Sequence, residues 1–168
     1  MSAGELLSST LHMFGGGATG FSFFIDSCID DAAKMLALAT AVQYAVHFED
    51  HFLDGVPLLP GIDVTEDGQN NVRAWSGVRL ASSAWVVVTA SNPTQPSLFV
   101  MRVSDPTTRY VLCDLTTGAR VDLGNGPDLH IAVDASAVAS VASVLHIAPD
   151  ADSTCLERSL PPDAWLPR

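Results

Sequence analysis

The sequence predicts an α+β protein, a largely antiparallel sheet of about four to five strands packed on one long amphipathic helix, with a second shorter helix and a mobile C-terminal tail. Three observations predict it. Asp26 to Asp54 carries an unbroken helical period. From Val72 the pattern changes to β-branched and aromatic runs punctuated by turn residues. Those runs follow one another through short turns, as in a meander with helices on one face.

Residues 1–25 read as a short helix or strand, a glycine-rich run Gly15 to Gly20, and an apolar strand candidate, Phe21 to Ile25. The long helix, about 27–54, has apolar residues at Ile29, Ala33, Ala37, Ala41, Ala45 or Tyr44, Phe48 and Phe52, a step of four that drifts slowly round one face. Ser27 can cap it with Asp30 three residues on, and Gly55 followed by Pro57 ends it. Its length would be roughly 40 Å, so a partner surface must run along it. Val56 to Asn71, rich in Pro, Gly, Asp and Asn, reads as a long connection.

The strand region, about 72–133, contains Val72 to Ala81, Ala84 to Ala90, Leu98 to Ser104, Tyr110 to Leu115, Arg120 to Leu123 and Leu129 to Val133. Thr116-Thr117-Gly118 joins two of these as a hairpin. In Leu98 to Ser104, Phe99, Met101 and Val103 share one face, the alternation of a half-covered sheet. Arg73 and Arg79 share a face if no bulge intervenes. Val138, Val141 or Ala142, and Leu145 suggest the second helix, about 135–147. Residues 1–148 form the expected single domain, and 149–168, with four prolines and four acids, the disordered acidic tail.

A chain of 168 residues can bury a core without metals or disulfides. Cys28, Cys113 and Cys155 are odd in number and in no CxxC pair, which argues against a disulfide framework or a thiolate zinc site and makes Cys28 and Cys113 small buried hydrophobes. Glu5 and the lack of a basic n-region argue against a signal peptide, and Lys34, Gln43 and His47 interrupt the longest apolar segment. The expected location is therefore cytoplasmic or inside a virus particle, with no membrane partner.

The net charge of −11 is unevenly spread. Residues 1–71 hold one base against ten acids, 72–124 five bases against three acids, and 125–168 two bases against six acids. The central bases are all arginine: Arg73, Arg79, Arg102, Arg109 and Arg120. Arginine suits forked contacts with phosphate or carboxylate, so these five are the candidate RNA- or partner-binding residues, the plainer alternative being a solvated strand face.

Gly15 to Gly20 matches GxGxxG in letters, but no helix start and no acid about 20 residues on accompany it, so it reads as a glycine loop. His47, Asp50, His51 and Asp54 stand at i, i+3, i+4 and i+7, a candidate face for a divalent metal or a basic partner. It resembles HxxEH with Asp50 in the glutamate's place and no third ligand. Glu49, Asp50 and Asp54 at a helix C-terminus oppose the dipole, which a bound cation or basic partner would offset. His12, His130 and His146 read as isolated, and no serine-hydrolase elbow, Walker loop or RNA-binding aromatic motif is present. No catalytic residue is assigned, and no cofactor is expected beyond that candidate metal.

Three functions follow. The first is a non-enzymatic binding protein. In size, helix-then-sheet order and acidic tail the chain is similar to the small accessory packaging proteins of segmented double-stranded RNA phages. That resemblance implies a role in assembling the polymerase complex of a particle and in packaging RNA, with capsid or polymerase proteins and RNA as partners, while the long helix and the aromatic tail point to a homodimer. The second is an acidic immunity or inhibitor protein that neutralises a basic toxin or nuclease. The third is a metal-dependent enzyme using His47, Asp50 and His51.

Overall fold

Helices cover one face of a central sheet and a second sheet covers the other, so the molecule has three layers. This computed structural model describes residues 1–20, 32–66, 71–92, 95–133 and 142–152. The α+β class and the mainly antiparallel pairing stand. The described residues contain nine strands in two sheets, against the four or five expected in one.

Helix α1 (Ala3–Gly15) is set by a capping box: the Ser2 hydroxyl accepts from the Glu5 backbone N–H, and the Glu5 carboxylate accepts from the Ser2 N–H. Helix α2 (Ala32–His47) buries Ala37, Ala41 and Tyr44, part of the stripe read from the sequence. The expected continuous helix to Asp54 is interrupted. Phe48, at φ −118° and ψ 29°, separates α2 from α3 (Glu49–Asp54), and its ring is buried beneath the break. The proposed start of that helix at 27–31 lies outside the described residues, as does the strand proposed for Phe21 to Ile25.

The larger sheet has the order β1 (Val56–Pro57), β3 (Val72–Leu80), β4 (Ser83–Ala90), β9 (Ser143–Pro149), β6 (Tyr110–Asp114), β7 (Arg120–Gly124). The smaller has β2 (Val64–Glu66), β5 (Ser97–Arg102), β8 (Asp128–Val133), and every strand pair in both is antiparallel. The hairpin read at Thr116-Thr117-Gly118 is β6–β7, with Gly118 at φ +75° where the turn needs a left-handed residue.

The second helix is corrected. Ser143 to Ile147 belongs to strand β9, while 135–141 lie outside the described residues. All seven residues of β9 are buried, because it pairs with β4 on one side and β6 on the other and is covered on both faces. Insertion of the last strand at the centre also replaces the sequential meander. Its side chains divide by parity: Val144 joins the core beneath the helices, whereas Leu145 and Ile147 join the core between the sheets.

The half-covered sheet that alternation implied is the smaller one. Phe99 and Met101 of β5 point into the inter-sheet core, and β8 alternates strictly between exposed and buried positions. The connection read at 56–71 contains β1 and β2, and the tail's first residues are ordered, with Pro149 in β9 and a 3-10 turn at Asp150–Asp152. Residues 153–168 lie outside the described residues.

Cys113 is buried as expected, but it is disulfide-bonded, which corrects its reading as a plain buried hydrophobe. The other two cysteines lie outside the described residues. Among the described residues no helix is long and apolar enough to cross a membrane.

Candidate functional site

Among the described residues, the break at Phe48 forms one side of a chemically varied site. A cavity of about 510 Å³ lies between the α2–α3 junction, the β3–β4 turn and the end of β9. Its wall includes His47, Glu49, Asp50, His51, Ser83 and His146. That volume lies within the range of small-ligand sites.

Each wall residue has a local cause for its position. Phe48 is buried to 1% exposure, and its ring centroid lies 5.8 Å from His47, 5.8 Å from His51 and 5.1 Å from His146. His51 and His146, both buried, meet edge to face at 5.5 Å. His146 reaches this place because β9 alternates Val144, His146 and Ala148 on its helix-facing side. A histidine taken as isolated thus becomes the floor of the site, and only recognition of β9 as a strand could have found it.

Ser83 opens β4, after a tight turn in which Ala81 holds φ +51°, a conformation that costs a non-glycine residue about 1 kcal/mol. His51 Nε2 lies 2.9 Å from Ser83 Oγ, and the same hydroxyl lies 3.0 Å from the Leu80 carbonyl oxygen. The Ser83 hydroxyl is within donating distance of both the Leu80 carbonyl and His51 Nε2, and the imidazole tautomer sets which of them takes its proton.

Of the proposed metal or partner face, His47, Asp50 and His51 reach the cavity wall, and Asp54 is exposed beyond it. His47 and Asp50 are exposed, whereas His51 belongs with Phe52 to the buried side of α3. Among the described residues no three His, Cys, Asp or Glu side chains converge as a metal-binding group.

Four of the five arginines are paired with aspartates, and Arg79 and Arg102 share the wall of a second pocket. Arg79 pairs with Asp63 at 3.0 Å and Arg102 with Asp128 at 3.2 Å. Arg109 pairs with Asp122, and Arg120 with Asp150. The last two pairs adjoin, because the Asp150 backbone N–H donates to the Arg109 carbonyl at 2.8 Å. The hydrogen bond from Arg109 holds the Asp122 carboxyl down to about 2.

Arg73 sits at the bulge between Val72 and Ala74, so the shared parity with Arg79 fails. Its charge falls near Glu5 of α1, a lesser contributor beside the Ser2 backbone hydrogen bond that chiefly lowers the Glu5 pKa.

No protein-family model matches the chain, and a comparison with curated proteins found no match.

A second polar feature ties α1 to the large sheet. His12 lies 2.8 Å from Ser76 Oγ through Nδ1 and 2.9 Å from Thr89 Oγ1 through Nε2. Burial lowers its pKa, so the imidazole bridges β3 and β4 in its neutral form. Nearby, Gly15 is required by close approach, since a Cβ there would fall 2.4 Å from Ser76 Oγ.

Proposed function

We propose that this is a non-enzymatic binding protein that engages a basic protein partner through the segment from α3 to the start of β2. The observation that carries this is the placement of Leu53, Val56, Leu59 and Ile62, all large, apolar and more than half exposed within ten residues, beside the exposed acids Glu49, Asp50 and Asp54. Apolar anchors with a charged rim are the composition of a recognition surface, and the rim selects a partner of opposite sign. The role fits an assembly accessory factor or an acidic inhibitor of a basic protein, and the partner's identity separates the two.

Direct RNA binding through Arg79, Arg102, Arg109 and Arg120 would require a phosphate to displace an aspartate at each, so a protein partner is favoured over RNA.

Affinity purification of the full chain from its native source, at low and high salt, tests the proposal. One basic protein should be recovered at low salt, be lost at high salt, and be lost again with Leu59→Ser or with Asp50→Lys, while Arg102→Gln retains it. Recovery of nucleic acid that depends on the arginines and not on Leu59 would overturn it.

A further inference from the structure

We propose that the outer face of α2 is the interface of a homodimer in which two copies of this helix pack antiparallel. It is a separate surface from the partner segment above. Directly opposite the buried stripe of Ala37, Ala41 and Tyr44, the residues Ala32, Met35, Ala39, Val42 and Val46 are all apolar and all exposed. Their spacing is three, four, three, four, the a/d seam by which one helix packs on another. Met35 is 57% exposed, Val42 42% and Val46 68%. A helix apolar on both its inner and outer faces is a helix covered on both.

Charge identifies the occupant. The chain carries 19 acids and a net charge of −11, yet α2 contains none of those acids and only one formal cation, Lys34. Two copies that repel each other elsewhere can meet here without opposing carboxylates, and a basic foreign partner would find no acid on this seam to read. The seam is also self-complementary. A two-fold axis through Ala39 sets Met35 opposite Val42 and Ala32 opposite Val46, so each larger side chain meets a smaller one. At the axis itself Ala39 meets its own copy, and a methyl group there lets the two helices approach closely. The acidic starts of α3, ten or more residues from that axis, would stand roughly 30 Å apart, well beyond the screening length at physiological salt. Such a dimer would present two partner segments at opposite ends.

Sedimentation equilibrium of the full chain across the micromolar range is the test, paired with oxidative cross-linking of Ala39→Cys against wild type and against Thr65→Cys on the small sheet. The wild type should self-associate, and V42E should raise the dissociation constant more than about tenfold, because it places a carboxylate in the seam of each copy. Val42 is a surface residue, so circular dichroism of V42E should match wild type. Ala39→Cys should give a covalent dimer that neither wild type nor Thr65→Cys forms. A wild-type chain that stays monomeric overturns the proposal, as does a dimer that V42E leaves intact. If V42E does not fold, failure of Ala39→Cys to cross-link overturns it.

Discussion

His12 illustrates what a single half-buried imidazole does to pH dependence. Its two hydroxyl partners accept and donate to a neutral ring, and burial disfavours the charged one, so its pKa in the folded chain lies below the ordinary 6.5. The unfolded chain therefore takes up a proton first as pH falls. The stability His12 contributes is complete above the unfolded value and is lost as pH drops below about 6.5 towards the folded one. His12→Ala should cost about 1–2 kcal/mol at pH 7.5 in urea titrations and should lessen the drop in stability between pH 7 and 5. An undiminished drop would place the titration elsewhere. Ala81 makes the converse case, because Ala81→Gly relieves a left-handed conformation and should stabilise the chain by about 0.5–1 kcal/mol in the same assay. Neither role was legible in the sequence. The partners of His12 lie 64 and 77 residues away, and the strain at Ala81 comes from a two-residue connection that any small residues could have formed.

At the scale of elements, β9 and α3 show how packing sets the outcome. Ser143 to Pro149 has no period of two because both of its faces are buried, and a short apolar run of that kind cannot be told from a buried helix by periodicity. Where one face meets water, as in β5 and β8, alternation survived in the sequence and the strands were read correctly. Helix α3 is held by the close approach at Gly55, where a Cβ would fall 2.1 Å from the His51 carbonyl oxygen and 3.1 Å from that of Arg79. Gly55 has extended backbone angles, so its need for glycine is contact and not handedness. Gly55→Ala should destabilise by about 1–3 kcal/mol and Gly20→Ala, with nothing within 4 Å, should be nearly neutral. Equal effects would remove the contact argument. Phe48→Ala, which empties the space beneath the helix break, should cost about 3–5 kcal/mol on chemical denaturation.

For the molecule as a whole, the balance of charge matters more than any pair. Three arginines are matched to aspartates on the surface and Arg79 to the buried Asp63, leaving a large excess of acids that repel one another. Exposed pairs contribute little and salt screens them, while the net repulsion is screened as well. Melting temperature should therefore rise as sodium chloride is raised from low to physiological concentration. A fall would mean that the ion pairs outweigh the repulsion. The Cys113 disulfide acts at this scale too: its reduction should lower stability by about 2–4 kcal/mol, read as a drop in the denaturation midpoint under a thiol-free reductant.

The sequence by itself determined the α+β class, the buried stripe of α2, the strands β3 to β8 and the segmented charge, because period and composition are local properties of neighbouring residues. Tertiary structure alone decided that a second sheet covers the first, that β9 enters its centre, that the helix breaks at Phe48, and that His51, Ser83 and His146 share a cavity. Those are long-range pairings, made when apolar surfaces far apart in the chain exclude water together, and no window of neighbouring residues records them.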